Sequence, residues 1–187
     1  LARLKQNNMR QIRSLSEGLI NTKEIIDKIA GKGYEIAFEP ETIKDEFGIE
    51  EFLDGMNDEE ALYAYYGNIT FNIDGIISGY TKAGQKTVLP KEALVKIDFR
   101  LPPNLDPGRI AEEFCSLAKE RGIECMVYAA NEPAYTDFEN TFVQSLIKFL
   151  SQHGYRFKIA PWSPASGPMH HFVNYLKIPA LAGIGVG

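Results

Sequence analysis

Histidine, cysteine and tryptophan are all scarce in this chain: three, two and one among 187 residues. His153 stands alone and His170 and His171 are adjacent, with no carboxylate clustered beside them at ligand spacing, so these residues spell no metal centre. Cys115 and Cys125 offer neither metal spacing nor a disulfide framework. Cys115 falls inside a helical pattern and Cys125 shares an alternating face with Ile123 and Val127. Both are expected as buried free thiols, the form kept in a reducing compartment, and a cytoplasmic location is expected with them. No apolar run approaches the roughly 18 residues of a membrane span. Lys and Arg number 20 against 25 Asp and Glu, a formal net charge of −5. With no arginine-rich run and no basic-aromatic stripe, neither nucleic acid nor membrane is expected as a partner.

What is present concentrates between Asn72 and Pro102. Ile69, Phe71 and Ile73 alternate with Thr70, Asn72 and Asp74; later Val95, Ile97, Phe99 and Leu101 alternate with Leu94, Lys96, Asp98 and Arg100. Period-two alternation predicts two strands, over about 68–77 and 93–101, each burying one face. Asn72 and Arg100 then share the open, polar face. A planar amide beside a guanidinium fork suits recognition of a carboxylate; the same spacing also describes a solvated face with ordinary charge pairing.

Helical signals surround this pair. Leu1–Leu15 has a broken amphipathic pattern, and Thr22 is a candidate cap for a helix closed by Gly31. The acidic stretch from Glu39 to Glu60, punctuated by Pro40, Gly48 and Gly55, reads as short helices on a solvated surface. Asp106 as N-cap, Pro107 in the first turn and Gly122 beyond the end predict a helix over 107–121, with Ile110, Phe114, Leu117 and Ala118 inward. A strand is expected over Ile123–Tyr128, a boundary at 131–133, and a further helix marked by Phe142, Val143, Leu146, Phe149 and Leu150. Phe157–Ala160 and Pro179–Ile184 read as short buried strands around a helix from Met169 to Leu176. Trp162, in a Pro-flanked loop, is expected to pack. His153 is expected at a helix C-terminus, where the dipole favours it.

Several motifs resemble the lid, or dimerisation, domain of the di-zinc exopeptidase and deacylase family. These are Asn72-Ile73, Ser78-Gly79-Tyr80-Thr81, Thr87-Val88-Leu89-Pro90, Phe99-Arg100 and Asn104-Leu105-Asp106-Pro107. The family includes aminoacylases, acetylornithine deacetylase, succinyl-diaminopimelate desuccinylase and carnosinase-like dipeptidases. Ile43–Phe52 is similar to the insertion of the dipeptidase branch, and Ser166-Gly167-Pro168-Met169 resembles the family's substrate-binding turn. The resemblance implies an α+β fold: a ferredoxin-like lid, an antiparallel sheet with helices on one face and lacking its first strand, followed by a short α/β return segment of a catalytic domain. The division expected is 1–131 for the lid, with the acidic helical insertion over about 22–62, and 132–187 for a partial catalytic domain.

The resemblance also implies an amidohydrolase or exopeptidase acting on N-acyl amino acids or short peptides, with two zinc ions in the full-length parent. Asn72, Arg100, Ser166 and Gly167 would bind substrate, and a homodimer would form through the lid. Family metal sites use a His-x-Asp motif, a bridging Asp, a Glu-Glu pair, a further carboxylate and a final His. No His-x-Asp occurs here, and Glu50-Glu51, Glu59-Glu60 and Glu112-Glu113 each lie in helix-like surroundings. No catalytic or metal-ligating residue is therefore assigned. The chain opens at Leu1 and stops at Gly187, ends that read as those of a piece of a longer, active protein, so the chain alone is expected to be inactive. Two other classes fit the same residues: a non-enzymatic module for self-association, and a carboxylate-binding domain of the amino-acid-sensing type.

Overall fold

A computed structural model describes residues 21–163, 165 and 167–184; the helix expected over Leu1–Leu15 lies outside them. The elements are α1 (Thr22–Gly31), α2 (Pro40–Phe47), a 3-10 turn (Leu53–Gly55), α3 (Asp58–Gly67), β1 (Thr70–Ser78), β2 (Ala93–Arg100), α4 (Pro107–Lys119), α5 (Thr141–Gln152) and a π-helical turn (His171–Tyr175). The fold is α+β.

Local chemistry explains most boundaries. The cap of α1 is Asn21 rather than Thr22: its side chain accepts from the Glu24 N–H at 3.2 Å. At α3 a full capping box forms, Asn57 accepting from Glu60 N–H while the Glu60 carboxylate accepts from Asn57 N–H, both at 2.9 Å. Asp106 caps α4 as the sequence suggests, accepting from Gly108 N–H at 2.8 Å and Arg109 N–H at 3.2 Å. Glu50 and Glu51 lie in a bend and not in a helix.

β1 and β2 pair antiparallel, Thr70 opposite Arg100, Phe71 opposite Phe99, Asn72 opposite Asp98 and Ile73 opposite Ile97. The register then slips at Asp74, so that Gly75 faces Lys96 and Ile76 faces Val95. This bulge changes the parity of β1 and keeps Ile76 on the face of Phe71 and Ile73. On that face Phe71 and Phe99 meet edge-on with centroids 5.3 Å apart, and Phe114 of α4 packs on Phe99 at 5.1 Å. Ile69, Leu105 and Ile110 complete this cluster.

A second cluster gathers Ile29 of α1, Phe138, and Val143 and Ile147 of α5, with Tyr34, Ile36, Phe157, Ile159 and Leu181 around them. Ile36 and Ile159 form an isolated parallel bridge. Across this junction Glu139 binds Lys28 at 2.7 Å and Lys32 at 3.0 Å, contacts that hold its carboxyl below the usual carboxylate range.

Three further expectations fail. Residues 123–128 form no strand: among the described residues the sheet has two strands, and neither edge supplies this segment with a backbone partner. The segments at 157–160 and 179–184 form no ladder beyond the Ile159 bridge. The cysteines are not free thiols, because Cys115 and Cys125 form a disulfide with Cα atoms 5.3 Å apart. The reason is a reversal: α4 ends at Lys119, Gly122 takes a left-handed φ of 69°, and Ile123 N–H returns to Ala118 carbonyl at 3.0 Å. Cys125 is thereby brought back alongside the helix.

Candidate functional site

Antiparallel pairing places directly opposed residues on the same face. Thr70 and Asn72 of β1 therefore share the face opposite α4 with Arg100 and Asp98 of β2. The Asn72 amide donates to one Asp98 carboxylate oxygen at 2.8 Å, and Arg100 Nε engages the other at 2.6 Å. Asn72 and Arg100 are thus brought together through Asp98, a residue the sequence reading placed on the right face without giving it a role. Its place on the face follows from lying two residues from Arg100 on one strand, but its pairing with Asn72 comes from the register. The side chains of Asp98 and Arg100 are 30% and 41% exposed, so the pair is partly desolvated. A guanidinium held at Nε by a carboxylate is fixed in direction.

Arg100, Asp98 and Thr70 border an open cleft of about 2330 Å³. Asn72 is not among its lining residues and instead donates to Asp98. Gly167 and His171 also border the cleft, as do Phe71, Phe99 and Phe114 on the other face of the sheet, so sharing this volume sets no distance between Arg100 and Gly167. Ser166 lies outside the described residues. The rings of His170 and His171 lie tilted at 39° with centroids 3.9 Å apart at the head of the π-helical turn. His153 closes α5, its Nδ1 2.8 Å from Phe149 carbonyl, which gives it the place at the helix end that the sequence suggests.

Tyr66, Tyr135 and Trp162 also line the cleft. Burial pushes the Tyr66 and Tyr135 hydroxyls up to about 12, and at Tyr135 the charge of Asp137 adds to the effect. Trp162 packs, as expected, and its indole N–H also donates to Tyr66 carbonyl at 2.8 Å. Among the described residues no group of three or more His, Cys, Asp or Glu is placed to hold a metal ion. The described residues therefore do not fit a metal centre, and no chemical step is assigned to one. No helix among them is long and apolar enough to cross a membrane.

Comparison with known proteins bears on this arrangement. A family model described as the peptidase dimerisation domain of the M20 group matches residues 9–124. Among solved structures, the chain is similar to the M20 family metallo-carboxypeptidase Sso-CP2 from Sulfolobus solfataricus, at 30% identity and a TM-score of 0.70. That match covers 89% of this chain and 43% of the carboxypeptidase, so the chain spans less than half the length of that relative. No curated protein matches.

Proposed function

The chain belongs to the M20 peptidase family through its dimerisation domain, and on that premise we propose that it provides the lid and self-association surface of a metal-dependent hydrolase. The substrates would be N-acyl amino acids or short peptides cleaved at an amide bond, and the metal two zinc ions. The observation that carries the substrate reading is the Asn72–Asp98–Arg100 ladder beside the cleft that Gly167 also borders. In this reading Arg100 grips the substrate carboxylate, and Asp98, steadied by Asn72, sets the direction of the fork. Ser166 and Gly167 meet the substrate from another side, and closure around it excludes water.

Self-association is supported by the outer end of the hairpin. Ile76, Ile77, Leu94 and Val95 are 58%, 60%, 47% and 46% exposed, an apolar surface that a second copy would cover. We infer a homodimer with a two-fold axis through this domain. Light scattering across a dilution series checks it, and a mass of one chain at every concentration would refute it.

The substrate reading is tested with Arg100→Ala in the metal-loaded enzyme. Removing one partner of a partly desolvated charge pair costs about 2 kcal/mol or more, roughly 30-fold in kcat/KM. Arg100→Lys should recover little, because an ammonium cannot reproduce the fork. A substrate whose carboxylate is blocked as an amide should be cleaved equally by the wild-type and Ala enzymes. Equal losses on both substrates, or none on either, would reject the assignment.

A further inference from the structure

Trp162, the single tryptophan of the chain, lies where the two hydrophobic clusters are joined. The backbone passes between them twice. The first passage leaves α3 at Tyr66-Gly67 and enters β1 at Thr70; the second follows α4 and reaches Tyr135 before α5 begins. The Trp162 ring stands edge-on to Tyr66, with centroids 6.0 Å apart at 83°, and edge-on to Tyr135, at 5.9 Å and 85°. Its Nε1–H donates to the Tyr66 carbonyl at 2.8 Å.

Trp162 belongs to neither passage. It comes from the loop over 160–163, directly after the Ile36–Ile159 bridge. Tyr66 is itself fixed, 3% exposed, with its hydroxyl donating to the Ala37 carbonyl at 2.8 Å. Ala37 N–H in turn binds the Ile159 carbonyl at 3.0 Å. The bonds thus run from Ile159 through Ala37 and Tyr66 to Trp162, back to the same loop, with Tyr135 held from the other side.

We propose that Trp162 is a positioning residue that clamps both passages, so that the β1–β2–α4 unit and the loop over 160–163 keep one relative orientation. Two edge-to-face contacts and one hydrogen bond from a rigid side chain are what such a clamp requires. Arg100 stands on one unit and Gly167 follows Trp162 in sequence, so the clamp sets how these two residues stand to one another. That last consequence for substrate rests on the hydrolase reading. The clamp itself does not, and it can be tested without catalysis.

The experiment measures the distance distribution between paramagnetic labels carried by non-natural residues at exposed Lys96 of β2 and Lys148 of α5. The unsubstituted chain should give one narrow distribution. In Trp162→Ala it should become about twofold broader or more, as freed units sample several orientations. Trp162→Phe keeps ring contacts but lacks the donor, so its broadening should be smaller but present. A folded alanine variant with the wild-type distribution would overturn the clamp, because a residue that merely stabilises would lower the melting temperature and leave the distance unchanged. Should the alanine variant not fold, the phenylalanine variant decides, and a distribution superimposable on wild type overturns the proposal. Loss of hydrolase activity with an unchanged distribution would count against the clamp and not against the hydrolase.

Discussion

Gly67→Ala tests the junction of α3 and β1 with a single methyl group. A Cβ at this position would stand 2.8 Å from Thr22 Oγ1, 3.3 Å from Thr22 Cβ and 3.5 Å from its Cγ2. Thr22 is half-buried at the first turn of α1, and its β-branched side chain has few χ1 positions to retreat into. Two effects compete. Alanine near a helix end gains about 0.5–1 kcal/mol over glycine, from propensity and a less flexible unfolded chain. Overpacking a closed site loses about 1–3 kcal/mol. The clash should win, for a net destabilisation of about 1–2 kcal/mol. Thr22→Ala removes both Oγ1 and Cγ2, so in that background Gly67→Ala should be neutral or mildly stabilising. The two substitutions should therefore couple by about 1–3 kcal/mol. Urea unfolding of the four proteins by circular dichroism gives the cycle. If Gly67→Ala is neutral in the original background, or costs the same in both, the close approach of α1 and α3 does not constrain position 67.

Ile29, fully buried at the centre of the second cluster, should cost about 2–5 kcal/mol when changed to Ala, read from the same denaturation curves. Glu139 is held below its ordinary value of 4.5 by Lys28 and then Lys32. Its contribution is present above that value and is lost as pH falls through the lowered folded one, so melting temperature should drop more steeply below pH 4.5 in wild type than in Glu139→Gln. Tyr66 and Tyr135, pushed up from 10 to about 12, contribute stability that is intact below pH 10 and lost as pH rises toward 12. An alkaline titration should show their tyrosinate absorbance appearing together with unfolding. Ionisation of all nine tyrosines near pH 10 without unfolding would contradict their burial.

Much of the hairpin was legible because its information is local. The alternation around Phe71 and Phe99 and the Asp106-Pro107 start of α4 need nothing from distant sequence, and both appear where the residues suggest. The alternation over 123–128 was just as regular and misled, since a strand exists only when another backbone pairs with it. The disulfide was hidden for the converse reason. A free-thiol reading follows from placing Cys115 and Cys125 on separate elements, and only the reversal at Gly122 puts them side by side. At the site, the shared face of Asn72 and Arg100 could be read from spacing, but Asp98 between them required the register. The Ile36–Ile159 bridge joins segments far apart in sequence and leaves no local trace.

The slip at Asp74 has a bearing on how this chain can change length. Each β1 residue after it already sits one step out of phase with those before it, and Asp74 alone has no opposite number on β2. Losing Asp74 would leave Ile73 and Ile76 on their present face and Asn72 beside Asp98. Losing any neighbour within the regular part of the strand would turn one half of it inside out. A lineage carrying this hairpin could shed one residue at that point and keep its side-chain pattern, while an insertion between Asn72 and Ile73 would put the two halves of the strand out of phase and carry Asn72 off the face it shares with Arg100 or Ile73 off the face it shares with Ile97.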